Sequence, residues 1–129
     1  MNWREFEDQV RRVCEENEFK VKFHFNFKDE LGRGEIDVLA VRFDLVLGID
    51  AKFYSSHRYR VSQLKKEAEK HAERCKRLSK ILGKKCIPVV VSFIDDLIYY
   101  HSECIIVPFQ SFNDFLNNIY TYLADFGYI

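Results

Sequence analysis

Residues 34 to 52, GEIDVLAVRFDLVLGIDAK, restrict the folds open to this chain more than any other stretch. Two runs, IDVLAVRF and LVLGIDAKF, flank Asp44 and are apolar on both faces, the pattern of strands covered from two sides. The short gap at Asp44 predicts a tight antiparallel hairpin. Such a hairpin belongs in the middle of a sheet, yet it carries Glu35, Asp37, Asp50 and Lys52. Charges set among Val, Leu and Ile either cap strand ends in water or build a site.

The rest of the chain supplies the cover. Trp3, Phe6, Val10, Val13 and Cys14 recur at helical spacing, which predicts a helix over residues 3–17 with Asn2 at its cap. KVKFHFNFK alternates, with Val21, Phe23, Phe25 and Phe27 on one face and Lys20, Lys22, His24, Asn26 and Lys28 on a wet one. From Val61 to Leu82 an apolar stripe of Val61, Leu64, Ala68, Ala72, Cys75, Leu78 and Leu82 predicts a second helix, with Ser62 as a possible cap and Gly83 as its stop. IPVVVSF, residues 87–93, reads as a buried strand paired in parallel after that helical crossover. LIYYH and CIIVPF follow as further strands or a ragged hairpin, and Ser111 is expected to cap a last helix carrying Phe112, Phe115, Leu116, Ile119 and Leu123. The expected fold class is α/β with α+β character: an αβββαβ core, about residues 3–93, whose mixed sheet is flanked by helices. With 129 residues, a single domain over 1–129 is expected, residues 94–129 forming a C-terminal extension.

The strand geometry decides where the charges go. Side chains two apart in a strand share a face, so Asp50 and Lys52 point the same way. Asp37 lies seven residues before Asp44 and Asp50 six after it, so the hairpin sets them nearly opposite one another. Two facing carboxylates repel unless a positive charge neutralises them. Lys52 supplies one; a hard divalent cation supplies two, and carboxylate oxygens are what Mg²⁺ prefers.

Asp37 followed after thirteen residues by Asp50-Ala51-Lys52 resembles the D…(D/E)-x-K signature of the PD-(D/E)xK nuclease superfamily. GEIDVLA and IDAK are most similar to its archaeal Holliday-junction resolvase and Mrr-like restriction endonuclease branch, and Glu7 in FEDQV matches an acidic residue often placed before its sheet. The resemblance covers residues 3–93 and implies a restriction-endonuclease-like core. It implies a metal-dependent deoxyribonuclease using Mg²⁺ or Mn²⁺, with Asp37, Asp50 and the Ala51 backbone carbonyl as metal ligands. Lys52 would be the catalytic lysine, stabilising developing charge or activating water, and Glu7 would hold a metal-bound water or a second metal. Glu35, one residue from Asp37, points to the opposite face and would reach the site only if the strand has not begun there. Ile36 replaces the proline of the family name, and Gln63 is followed by Glu67, so the Q-x-x-x-Y motif of a related branch is absent. The alternative is a non-catalytic nucleic-acid-binding or assembly module that keeps the fold.

A net charge of zero hides a segregation. Residues 58–85 hold 11 Lys and Arg against 3 Asp and Glu, whereas residues 86–129 hold none against 5. The basic segment is either a phosphate-facing stripe or a solvated helix face. Its DNA-backbone candidates are Arg58, Arg60, Lys65 and Lys66; His57, in the loop FYSSHRYR, suits phosphate contact or a solvated connector equally. His71 reads as a helix-flank histidine. Cys14, Cys75, Cys86 and Cys104 are widely spaced, without a C-x-x-C pair, so buried reduced thiols are expected rather than a zinc ribbon. The opening MNWREFEDQV lacks the apolar core of a signal peptide, and no apolar run reaches the ~20 residues of a membrane span, so a cytoplasmic protein is expected. DNA is the expected partner, with no membrane and no organic cofactor. Cutting two strands needs two sites, so a homodimer is expected, with the aromatic, acidic C-terminal segment as one possible interface.

Overall fold

The computed structural model describes residues 1–53 and 60–129; Arg58 and His57, singled out above, lie outside the described residues. Helix α1 (Trp3–Glu16) leads into three antiparallel strands, β1 (Lys20–Asp29), β2 (Gly32–Arg42) and β3 (Leu45–Lys52). Helix α2 (Arg60–Leu82) crosses over to β4 (Cys86–Ser92), which pairs in parallel with β3. Two short strands, β5 (Tyr100–His101) and β6 (Cys104–Pro108), precede helices α3 (Phe112–Asn117) and α4 (Ile119–Asp125). The six strands form one mixed sheet in the order β1-β2-β3-β4-β6-β5, so the doubly apolar hairpin β2–β3 lies inside it.

The central strands are apolar on both faces because both are covered. On one face α1, α3 and α4 bring Phe6, Val10, Phe112, Leu116 and Leu123 onto Val38, Leu47, Ile49 and Val89. On the other, α2 lays Leu64, Ala68, Cys75 and Leu78 over Leu39, Val46, Val90 and Ile106. All four cysteines are free and buried. Asn2 caps α1, its Oδ1 accepting from the Glu5 amide at 2.9 Å. Ser62 does not cap α2: it lies two residues inside the helix.

Residues 94–129 are no appendage. Strand β6 inserts beside β4, and α3 and α4 supply Phe112, Phe115, Leu116, Ile119 and Leu123 to the main core. The single last helix expected from the sequence is broken at Asn118, whose side-chain amide donates to the Asp114 carbonyl and carboxylate at 3.1 and 3.0 Å, a local bond that competes with helix continuation. Ser111 makes no capping bond, because a 3₁₀ turn (Phe109–Ser111) precedes α3.

The alternation of β1 and β2 reverses midway. Phe19 and Val21 pack on the α1 side, Phe25 and Phe27 on the α2 side; likewise Val38 and Ala40 face α1 while Ile36 faces α2. The switch falls at His24 and Asp37, which sit opposite each other without pairing although the register on either side is unbroken. His24 has φ +47°, a left-handed conformation uncommon for residues other than glycine, and it turns the strand over. The four apolar side chains of β1 therefore divide between two faces instead of sharing one. Beyond this point β2 no longer pairs with β3, whose ladder with β2 runs only from Val38↔Ile49 to Arg42↔Leu45. The far half of the β1–β2 hairpin is braced instead by α2: Arg77 donates to Asp29 at 2.6 and 2.9 Å and to the Gly32 carbonyl at 2.7 Å.

Gly48 lets α2 lie close to β3. A Cβ there would stand 2.6 Å from Cys75 Sγ and 2.8 Å from Cys86 Sγ, both buried. Gly48→Ala should therefore destabilise the fold by about 1–3 kcal/mol through overpacking; an unchanged denaturation midpoint would show that the packing relaxes freely.

Candidate active site

Where β2 parts from β3, a cleft of about 470 Å³ opens, lined by Trp3, Arg33, Glu35, Asp37, Asp50, Ala51, Lys52 and Arg74 among others. The charged groups in the cleft and beside it arrive on four elements. Asp37 comes from the reversal in β2, and Asp50 and Lys52 from the last residues of β3. Glu7 comes from α1, held there because the neighbouring Phe6 ring is packed against Phe53, Phe93 and Phe109 at 5.3–5.6 Å between centroids. Arg74 comes from α2.

Asp37 and Asp50 meet as the hairpin count requires. The two carboxyls stand side by side, and Asp37 Oδ2 accepts from the Ala51 amide at 3.2 Å. Lys52 Nζ lies 2.9 Å from Asp50 Oδ2 and 3.2 Å from Glu67 of α2. Arg74 Nη2 reaches the same Asp50 oxygen at 3.4 Å. Two of the candidate phosphate contacts, Lys65 and Lys66, are exposed on α2, while Arg60 is paired with Asp96 at 2.6 Å and tethers the start of the helix to the loop after β4.

His24, His71 and Arg74 took part without a sequence signal, and Glu35 reaches the cleft by a route that strand alternation would have closed. His24, expected on the wet face with the lysines, turns to α1 at the strand reversal and lies with Nε2 2.9 Å from Glu7 Oε1 and Nδ1 3.3 Å from Glu35 Oε1. Glu35 belongs to β2 proper, paired with Asn26, and still reaches the cleft, because the reversal at Asp37 undoes the one-residue alternation that should have turned it away. His71 is no flank residue: it is fully buried, 2.7 Å from the Gly48 carbonyl through Nε2 and 3.3 Å from Arg74 through Nδ1. A carbonyl only accepts and a guanidinium only donates, so the proton is on Nε2 and the imidazole is neutral. Burial pushes its pKa down, in the same direction. His71 thereby holds Arg74 toward Asp50.

The carboxylates are unequal. Burial, reinforced by Asp50 beside it, pushes the Asp37 carboxyl up to about 8. Burial works on Asp50 in the same sense, but the hydrogen bond from Asp37 and the Lys52 charge outweigh it and hold Asp50 at about 2. Asp37 is therefore the member of the pair pushed toward its protonated form, and Asp50 the one held ionised. Burial also raises Glu7, and His24 only partly offsets it. Glu7 Oε2 is buried and has no hydrogen-bond partner among the described residues. A carboxyl pair beside a buried, unpartnered carboxylate oxygen fits a divalent cation, which Asp37 could hold with Asp50 on one side or with Glu7 on the other.

This arrangement gives stability without metal a distinct pH dependence. A folded-state pKa raised from 3.8 to about 8 means that Asp37 contributes stability fully present below about pH 4 and lost as pH rises through about 8. Asp50, lowered to about 2, contributes stability present above about pH 4 and lost only as pH falls through about 2. Denaturation in chelator should show stability falling from pH 5 to pH 8, by at most about 1.4 kcal/mol per pH unit from this pair, and Asp37→Asn should flatten the slope. An equal slope in the variant would place the proton elsewhere.

No family model matches the chain. A crystal structure of a protein of unknown function is similar over 67% of this chain at 25% identity, with a TM-score of 0.55; the match spans 44% of that longer chain. An uncharacterized protein of Archaeoglobus fulgidus is 59% identical over 129 residues, the whole of both chains. The chain belongs to one family with this archaeal protein.

Proposed function

We propose that this chain is a metal-dependent deoxyribonuclease of the PD-(D/E)xK type. The observation that carries the reading is the convergence of Asp37, Asp50 and Lys52 from adjacent strands on one cleft where the sheet parts, with Glu7 of α1 beside Asp37. A bound Mg²⁺ or Mn²⁺ would supply a polarised water and neutralise charge on a phosphate. The chain's own groups bind and orient. Asp50 sets the Lys52 ammonium at the cleft, where it can stabilise charge developing on a phosphate oxygen. Arg33 and Arg74 line the same cleft and offer two further cations to the backbone of the nucleic acid. Lys65 and Lys66 extend that positive surface along α2. The αβββαβ order of the fold supports the same reading, and two clefts in a homodimer would serve the two strands of a duplex.

A non-catalytic nucleic-acid-binding module has one observation in its favour: Lys52 is already tied between Asp50 and Glu67, a satisfied ionic network of the kind that also serves structure alone. The two readings part in a cleavage assay. With Mg²⁺ or Mn²⁺, duplex, single-stranded, flapped and four-way-junction DNA are offered beside RNA. Cleavage of DNA, reduced at least about 100-fold by Lys52→Ala, is the expected result. DNA binding without cleavage of any substrate would favour the binding module.

The basic face of α2 is tested separately. Replacing Lys65 and Lys66 by Gln should weaken DNA binding and reduce its salt slope by about 2, roughly 0.9 for each phosphate left unneutralised. An unchanged slope would make that face a solvated surface.

A further inference from the structure

The negative charge in the cleft is unevenly answered. Asp50 faces both Lys52 and Arg74, at 2.9 and 3.4 Å. The excess lies on the other side of Asp37, toward α1, where Glu7 is nearly buried with one oxygen unpartnered among the described residues. The group standing there is not a lysine or arginine but His24, whose imidazole is the side chain most often used to ligate a metal. Ligand atoms of Glu7, His24 and Asp37 all lie within 4.8 Å of one another, close enough to share one ion. They come from three separate elements, α1, β1 and β2, so the fold fixes their mutual placement. His24 holds its position through a backbone φ of +47°, a strained conformation for histidine and one that persists only where its surroundings impose it.

We propose that Glu7, His24 and Asp37 form a mixed imidazole–carboxylate site for a divalent first-row transition ion, Mn²⁺ being the probe of choice, distinct in donor set from the oxygen-only ligands Asp37, Asp50 and the Ala51 carbonyl. The inference deepens the metal-centre part of the proposed function and rests on it. Carboxylates and carbonyls suit Mg²⁺, whereas an imidazole nitrogen shifts preference toward Mn²⁺, Co²⁺ or Zn²⁺. Asp37 belongs to both donor sets, so it is the group through which the two would touch. Glu35, 3.3 Å from the other ring nitrogen, orients the imidazole in the way outer-shell carboxylates orient metal-bound histidines.

The direct test is pulsed electron paramagnetic resonance on the full chain loaded with Mn²⁺, alongside calorimetric titrations with Mn²⁺ and Mg²⁺. Wild type should show coupling of the bound ion to a nitrogen nucleus. His24→Asn should abolish it and lower Mn²⁺ affinity by about tenfold or more, the scale on which even outer-shell partners act, with a smaller change for Mg²⁺. Asn tolerates the left-handed backbone at this position, so the variant should keep its fold, which circular dichroism checks. Bound Mn²⁺ without nitrogen coupling, coupling that survives in His24→Asn, or no Mn²⁺ binding at all would overturn the site. DNA cleavage reads the nuclease proposal separately: cleavage without nitrogen coupling overturns imidazole ligation alone, whereas coupling without cleavage supports the site and counts against the nuclease.

Discussion

Everything at the cleft depends on the reversal of β1 and β2 at His24 and Asp37. A regular three-stranded ladder would carry β2 along β3 to its end, and the Asp37 and Asp50 carboxylates would face each other on a closed sheet surface. Instead the strand pair turns over as a unit, keeping its own register, and leaves β3 after Val38↔Ile49. The reversal opens the space between the hairpin and β3, brings Glu35 and His24 to the α1 side, and leaves Asp37 at the junction. The strain of one left-handed histidine is offset by packing on both sides: Phe19 and Val21 in one core, Phe25 and Phe27 against the other. Arg77 then fixes the detached end of the hairpin to α2, so the opening is part of the folded architecture.

Electrostatics follow from that geometry. Two carboxyls forced together in a partly buried place cannot both ionise without help, so one keeps a proton and the other is held by cations. Asp37 is pushed up by its burial and by Asp50 and Glu7 beside it; Asp50 is held down by the Asp37 carboxyl and the Lys52 charge. The neutral His71 between Gly48 and Arg74 extends this arrangement into the α2 core, where a charged imidazole would face the desolvation cost of full burial. The chain thus concentrates several buried polar contacts at a single sheet opening, while the clusters packed on the rest of the sheet are apolar.

How much of this could be read from sequence differs from residue to residue for physical reasons. The hairpin at Asp44 fixed the opposition of Asp37 and Asp50 by counting, because antiparallel register is simple arithmetic once the turn is placed. The parallel β4 and the faces of α1 and α2 followed from periodicity. His24 and Glu35 did not, because a period-2 reading assumes an unbroken pleat, and a left-handed residue inverts the parity of everything on one side of it. Arg74 and the burial of His71 were hidden for another reason: α2 reads as a basic amphipathic helix, and its stripe says nothing of a polar side chain at the edge of that stripe meeting a carbonyl freed by Gly48. The break at Asn118 is a local hydrogen-bond choice inside a run whose apolar spacing is helical throughout.

If the parted strands form a metal centre, anomalous diffraction from crystals of the protein soaked in Mn²⁺ will locate the ion. A strong anomalous peak is expected in the cleft at coordination distance from an Asp37 carboxylate oxygen, with the Asp37–Asp50 hydrogen bond broken. A cleft without such a peak would contradict the metal centre and leave the cluster as a structural network of the sheet.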